Sequence, residues 1–387
     1  MKKIILLSIL IFLIINLFAQ KKEKPWVKDH LRLTGYIKYM NMLSFTDGDH
    51  LSTDNLMHNR INLKAYLSNP LTFNASMRNR IFYGDMLKGF PNYPDLIDAG
   101  QDMIDLSFFP FKEDMIFMHS TFDRLNFNYS SGYWDITIGR QRINWGINTV
   151  WNPNDLFNTN NFLDFDYEEK PGADAVRVQY FTGDMSSLEL AYHPNKDFES
   201  DKSVMAALYK FNFKSFDMQV LAAKYYTDYS FGMGFAGNIK NAGVKGEVNY
   251  FKSKEEGIEN AFVSSVSLDY GFKNGLYWMS SALYNGGYRD DTNLNFFSLF
   301  SNQLSARNLF PSKYAFFTQL SGNWGPAWAW NIGGMYGTDN RLVILMPSLA
   351  YSMTDNWEIN LTSQLLFSEL PQMEQQNLIY LRFRYSF

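Results

Sequence analysis

The residues best suited to chemistry lie in one stretch, 139–172, which reads GRQRINWGINTVWNPNDLFNTNNFLDFDYEEKPG. Two arginines and two tryptophans, set among asparagines, precede a cluster of acids. No alternating or helical apolar pattern crosses the stretch, so we predict a loop, and a long loop without secondary structure usually carries function. Its candidate functional residues are Trp145, Trp151, Asn152, Asn154, Asp155, Asp164, Asp166, Glu168 and Glu169.

These residue types could serve several kinds of chemistry. Paired carboxylates can cleave glycans, and a histidine beside an acid can activate a serine. His119, near Asp123, is the candidate for such a dyad, but no serine motif accompanies it. The histidines show no metal-ligand spacing, and the Gly-x-Gly-x-x-Gly match at 232–237 has no βαβ unit around it. The sequence therefore predicts no enzyme, no metal site and no cofactor.

The start of the chain predicts export. Two lysines, an apolar run over 4–15 and a small residue at Ala19 form the pattern of a signal peptide, here residues 1–19. The run is shorter than the roughly 20 apolar residues that a membrane-spanning helix needs. The absence of cysteine excludes disulfides and thiolate sites, and a net charge of −4 gives no case for nucleic acid.

Beyond residue 28, apolar and polar residues alternate, as they do where Ile61 and Leu63 lie between Arg60, Asn62 and Lys64. A period of two predicts strands with one apolar and one polar face. The predicted turns alternate between very short ones and long loops along the chain. Short turns at one end and long loops at the other are typical of outer-membrane β-barrels. An aromatic content of 17% fits this class.

The predicted fold is therefore all-β, a transmembrane antiparallel barrel formed by residues 20–387 as a single domain in the outer membrane of a diderm bacterium. Both termini should lie on the periplasmic side, so the number of strands must be even. We predict eighteen strands, with sixteen as the alternative. Loop 144–172 then becomes the third external loop, between strands five and six. The final aromatic strand, ending in Phe387, is expected to be recognised by the barrel-assembly machinery.

The polar face of the first six strands and the last strand is predicted to form a basic lumen wall. Its members are Arg32, Arg60, Lys64, Arg78, Arg80, Arg124, Arg140, Arg142, Arg177, Arg382 and Arg384. Facing the acids of the loop, these cations would create a transverse field that selects solutes by charge. The alternative is that cations and acids only neutralise each other and brace the loop. Alternation along 134–142 would point Arg140 and Arg142 outward, so we expect a bulge at Gly139 that turns both toward the loop.

The region around 120–190 resembles a family of uncharacterised porin-like outer-membrane proteins. These proteins share a Gly-Arg-Gln-x-x-Asn-Trp-Gly core at the end of a strand, matched here by Gly139, Arg140, Gln141, Asn144, Trp145 and Gly146. The resemblance implies an outer-membrane barrel for a small or hydrophobic molecule and names no substrate.

The sequence thus predicts a porin-like channel for diffusion or facilitated passage of small polar or charged solutes, constricted by loop 144–172. One alternative is a barrel that binds or transports a hydrophobic or glycan ligand, with Trp145 and Trp151 along its path. An outer-membrane hydrolase is the third possibility. Expected partners are outer-membrane lipid, the assembly machinery and a small solute, and the number of subunits is not predicted.

Overall fold

The computed structural model describes residues 29–46, 50–98, 103–158, 172–289, 304–339, 341–369 and 376–387. The predicted signal peptide lies outside these residues, as do the acids Asp164, Asp166, Glu168 and Glu169. Within this part of the chain, no helix has the length and hydropathy needed to cross a membrane.

The described chain consists mainly of long antiparallel strands. Their bounds are β1 Leu31–Thr46, β2 His50–Tyr66, β3 Leu71–Gly84, β4 Ser107–Glu113, β5 Ile116–Ser131, β6 Trp134–Gln141, β7 Ala173–Gly183, β8 Ser186–His193, β9 Val204–Phe213, β10 Phe216–Tyr225, β11 Asp228–Ile239, β12 Ala242–Ser253, β13 Ala261–Gly271, β14 Tyr277–Asn285, β15 Tyr314–Trp324, β16 Trp328–Gly337, β17 Leu342–Ser352, β18 Trp357–Phe367 and β19 Gln376–Ser386. Two short helices, α1 Met86–Gly89 and α2 Tyr93–Ile97, lie between β3 and β4, and a 3₁₀ turn Ser200–Lys202 precedes β9.

Eighteen of these strands form a closed wall. β1 pairs with β19 from Tyr36 opposite Ser386 to Thr46 opposite Gln376, which joins the two ends of the sheet. Below this ladder, the N–H and C=O groups of Gly35 and Phe387 exchange two hydrogen bonds of 2.9 Å. β3 pairs directly with β5 along most of its length. β4 pairs only with the first residues of β5, 116–121, and is not counted among the eighteen strands of the wall. The structure confirms the prediction of an eighteen-stranded antiparallel barrel.

The two ends of the barrel differ in their connections. One end, called here the turn end, carries short turns such as 214–215 and 240–241, and the other, the loop end, carries long connections such as 85–106, 142–172 and 286–313. The connection between β6 and β7 is the third at the loop end, as predicted. The connection of β10 to β11 is an exception, because only residues 226 and 227 separate the two strands.

The inner and outer faces of the wall differ in character. Arg32, Lys64 and Ser76, on three neighbouring strands, line one interior cavity. Their sequence neighbours point outward, where large apolar and aromatic side chains are exposed around the barrel. An apolar outer face around a polar interior is the arrangement of a barrel that spans a membrane.

Part of the interior departs from this pattern, because an apolar core fills one side of the lumen. Inward residues of the wall such as Val204, Leu208 and Val263 pack there with Trp151 of the β6–β7 loop and Phe310 of the β14–β15 connection. The core covers the inner face of β8 to β18 near the loop end. Open space is therefore left mainly beside β1 to β7.

Candidate functional site

The first half of the β6–β7 loop lies inside the barrel, bound to the inner face of β12. The side chain of Glu247 accepts hydrogen bonds from three backbone N–H groups of the loop. Oε1 accepts from Ile147 and from Asn148, the latter at 2.6 Å, and Oε2 accepts from Asn154 at 3.0 Å. One carboxylate thus satisfies three donors that would otherwise be buried without a partner.

Loop carbonyl groups are held by neighbouring strands. Gln219 of β10 donates to the carbonyl of Trp145 at 2.8 Å, and Ser265 of β13 donates to that of Trp151 at 2.8 Å. Asn249 of β12 donates to the carbonyl of Pro153 at 3.0 Å. With Glu247, these side chains form what we call the anchor: Gln219, Glu247, Asn249 and Ser265. The anchor binds loop backbone, so it fixes the position of the loop largely independently of its side chains.

The two tryptophans of the loop are buried. Trp145 is 1% exposed, donates from Nε1 to Oε1 of Glu189 at 2.5 Å and packs edge-on against Phe157 with ring centroids 5.1 Å apart. Trp151 is 3% exposed and packs against Phe310 at 5.9 Å. Both rings therefore hold the shape of the loop and leave little surface for a solute.

The polar residues predicted for the constriction occupy different places. Asn154 and Asp155 are fully buried, and Asn154 donates from Nδ2 to the carbonyl of Met233 at 2.9 Å. Asn152 packs against Gly146, where an added Cβ would lie 2.4 Å from its Oδ1. These three residues belong to the docked part of the loop. The four acids further along the loop lie outside the described residues.

A cavity of about 550 Å³ remains on the other side of the lumen. Its described lining contains five cationic side chains and no acid, together with asparagine, serine and threonine. The five are Arg32, Lys64, Arg124, Arg142 and Arg177. Arg177 also pairs with Glu189 at 3.0 Å, which joins the cavity wall to the residue that holds Trp145.

The remaining predicted cations of the wall are engaged with other side chains. Arg60 and Arg78 share the buried carboxylate of Asp123 at 2.5 and 3.0 Å. Arg382 pairs with Glu358 at 3.3 Å, and the guanidinium of Arg384 lies 4.7 Å from the ring centroid of Tyr36. Arg80 lies 3.1 Å from Nδ1 of His119. The predicted basic wall thus divides into cations that line the cavity and cations that are held by other side chains of the wall.

Arg140 and Arg142 are separated by the structure. Gly139 has φ of +112°, and the register between β5 and β6 continues past it without an extra residue. Arg140 is buried in a two-pronged ion pair with Asp174, at 2.8 and 2.9 Å, and also donates to the carbonyl of Ile104. Only Arg142 lines the cavity. The expectation that a bulge at Gly139 turns both arginines toward the loop is therefore wrong, because Arg140 is held by Asp174.

The extra residue of this region is Asp123 in β5, a position that sequence reasoning did not assign to the wall. The register against β3 shifts between Ser76 and Met77, which leaves Asp123 unpaired. This shift lets Asp123 reach Arg60 and Arg78. The available signal was the break in alternation at Asp123 and Arg124, where two charged residues adjoin.

His119 does not form the dyad with Asp123. Its Nε2 lies 3.0 Å from Asp98, and its Nδ1 faces Arg80. Because arginine only donates, Nδ1 must accept, so Nε2 carries the proton and donates to Asp98. No serine of the described chain is bonded to this histidine. The arrangement ties the segment after α2 to the wall and offers no nucleophile.

No protein-family model matches the sequence, and no curated protein matches it. Solved structures share its fold. Against OccAB4 of Acinetobacter baumannii, the TM-score is 0.56 at 9% identity, covering 92% of this chain and 98% of that chain. OccK11 (OpdR) of Pseudomonas aeruginosa gives 0.57 at 10% identity over 93% and 97%, and OccK8 (OprE) of the same organism gives 0.57 at 9% over 93% and 98%. At such identities the likeness establishes the fold: this chain is a closed barrel of the kind seen in the Occ structures.

Proposed function

We propose that the protein is a porin-like channel in the outer membrane of a diderm bacterium, which passes small polar solutes and favours anions. The observation that carries the proposal is the loop bound along one wall of the lumen, opposite a cavity lined by five cations. A selective channel needs a passage narrower than the barrel that encloses it and a wall that interacts with the solute. The likeness of fold to the Occ structures supports the same conclusion.

The preference for anions follows from the charge of the described lining. Arg32, Lys64 and Arg142 have no ion pair among the described residues, and Nζ of Lys64 lies 5.0 Å from the ring centroid of Tyr66. Like charges on a low-dielectric wall raise the local concentration of counter-ions. Asn62, Asn74 and Asn126 add neutral hydrogen-bonding groups, which suit polar solutes.

The second half of the loop completes this proposal. We propose that Asp164, Asp166, Glu168 and Glu169, which lie outside the described residues, face the basic wall and create the transverse field. Burial of Trp145 and Trp151 favours a polar passage over a hydrophobic ligand path. Among the described residues no nucleophile is bonded to the His119–Asp98 pair, which also favours a non-enzymatic role.

Single-channel recording in planar bilayers tests the proposal. Purified protein should conduct, and a salt gradient should give a reversal potential of the sign for anions. Arg32→Gln with Arg142→Gln should shift that potential toward cations, because it removes two of the five lining charges. Arg341→Gln is the matched control, since Arg341 pairs with Glu369 in an exposed connection away from the cavity. Absence of conductance above that of detergent alone, or equal shifts for both variants, would refute the proposal.

Two further parts of the proposal concern export and assembly. We propose cleavage after Ala19, so that the mature protein begins at Gln20, which intact mass of the membrane-extracted protein measures. We also propose that the last strand, ending in Phe387, is the element that the assembly machinery recognises. Deletion of Phe387 should then lower the amount of folded barrel in the outer membrane, while the amount of exported, unfolded protein does not fall.

A further inference from the structure

Asparagine side chains on the outer face of the barrel mark one side of it. In β1, β2 and β3, even-numbered residues such as Arg32, Lys64 and Ser76 line the interior, so odd-numbered residues point outward. Among the described strands, every outward asparagine lies on β19, β1, β2 or β3, which are consecutive in the wall. These residues are Asn41, Asn55, Asn59, Asn79 and Asn377.

Two of these amides lie at the depth of the membrane interior. Asn59 is seven residues from Tyr66, and Asn79 is eight residues from Leu71, at the turn-end limits of β2 and β3. With a rise of about 3.3 Å per residue and a tilt of about 40°, they lie roughly 18–20 Å above those limits. The apolar band of a membrane barrel is about 25 Å tall, so both amides fall within it.

The hydrogen bonds on this face use only part of the capacity of these amides. Asn59 donates to the carbonyl of Tyr36 and Asn79 donates to Oδ1 of Asn59, both at 3.2 Å, while Ser120 donates to Oδ1 of Asn79 at 2.8 Å. Each amide nitrogen carries two N–H groups, and these contacts occupy one of them. The other would meet acyl chains if lipid covered this face. An amide N–H without a partner in hydrocarbon costs several kcal/mol.

We propose that this outer face of β19, β1, β2, β3 and β5, called here the asparagine face, is the contact between copies of this chain in the membrane. A second copy of this chain fits because each asparagine amide both donates and accepts hydrogen bonds. The asparagine side chains of one copy can therefore pair with those of another. Polar side chains at membrane depth associate in this way. Met57 and Ile61, both about two-fifths exposed, flank Asn59 and supply apolar surface for close packing.

The size of the asparagine face is sufficient for a specific contact. Five strands spaced about 4.8 Å apart give a width of roughly 24 Å, and the apolar band gives a height of about 25 Å. The footprint is therefore on the order of 600 Å² per copy, or about 1,200 Å² in total. This lies at the lower end of specific protein interfaces, which bury about 1,200–2,000 Å².

Mass measurement in mild detergent tests the role of the amides. The unaltered protein should run as a complex of more than one copy, and Asn59→Leu with Asn79→Leu should shift it to the monomer with its β-sheet circular dichroism intact. The matched control is Ser280→Ala with Thr318→Val, which removes an outward hydrogen bond of 2.8 Å on β14 and β15. A monomeric unaltered protein, an unchanged mass of the asparagine variant, or equal dissociation of the control would overturn the proposal.

Cross-linking in intact membranes gives a readout that does not depend on the asparagine variant folding. The chain contains no cysteine, so a single introduced thiol reports one position. Met57→Cys on the asparagine face should form a dimer with a short bis-maleimide reagent. Leu190→Cys, similarly exposed on the outer face of β8 five strands away from β2 in the wall, should not. Equal yields at the two positions, or no dimer at Met57→Cys, would contradict the assignment of this face.

Discussion

Substitution of Glu247 by glutamine tests whether the anchor holds the loop. Oε1 serves Ile147 and Asn148, and Oε2 serves Asn154. The glutamine carbonyl can keep the first pair, but its amide then presents a donor to the N–H of Asn154. One hydrogen bond to a charged group is worth about 1.5–3 kcal/mol, and an unsatisfied buried N–H costs about 1–3 kcal/mol.

Since these two contributions overlap, we take a loss of about 3 kcal/mol in docking free energy. A difference of about 1.4 kcal/mol is tenfold in an equilibrium constant, so the undocked population should rise on the order of 100-fold. Hydrogen–deuterium exchange of peptides covering 143–158, followed by mass spectrometry, measures this population. Exchange there should accelerate by about the same factor, because exchange follows local opening.

Glu358→Gln is the matched control for this experiment. Glu358 is also a carboxylate on the barrel wall, and its described contact is with Arg382, not with the loop. Its substitution should leave exchange of 143–158 unchanged. Unaltered protection of the loop in Glu247→Gln, or equal acceleration in both variants, would refute the conclusion that the anchor sets the loop position.

Three other outcomes are expected. Asp123→Asn should lower the free energy of unfolding in urea by about 3–5 kcal/mol, because it leaves Arg60 and Arg78 buried without their shared carboxylate. Asp95→Asn, which breaks an exposed pair with Lys112, should cost less than about 1 kcal/mol. Similar costs for the two variants would contradict the burial argument. Gly35→Val should lower the yield of closed barrel seen by gel mobility, since an added Cβ would lie 2.3 Å from the carbonyl oxygen of Arg60 and 2.7 Å from the ring of Phe387. Gly271→Val, where the space is open, should leave this yield unchanged. At Asp339, burial acts to raise the pKa, but hydrogen bonds from Lys313, Thr338 and Ser312 outweigh it and lower the pKa below its usual value. The link that these hydrogen bonds make between 312–313 and 338–339 should therefore be present above about pH 4 and be lost as the pH falls through the lowered pKa. Amide exchange at Lys313 that stays constant over that range would count against it.

The fold was largely predictable because its signals are local. Alternation marks each strand, turn residues mark each hairpin, and parity makes the number of strands even. β11, Asp228–Ile239, is one of the strands that complete this even count. These features depend on residues close together in the sequence, so one chain suffices to find them.

The interior was less predictable, because it depends on register between distant strands. The four anchor residues lie on the three strands β10, β12 and β13, and nothing in their spacing shows that they meet one loop. The apolar core was hidden for a different reason. In β9, inward Val204 and Leu208 alternate with outward Met205 and Tyr209, so both faces are apolar and alternation gives no signal.

The pairing of β1 with β19 has a consequence for how the barrel forms. Tyr36 and Ser386 are 350 positions apart in the sequence (386 − 36), whereas most other pairings join strands that are consecutive in the chain. Contacts between such distant residues form slowly, because the entropy of closing the chain must be lost before the contact stabilises it. Until then both β1 and β19 present open edges that can pair with other chains. The time between synthesis and closure is therefore the period in which this protein is most exposed to aggregation, and any factor that assembles it must cover those two edges.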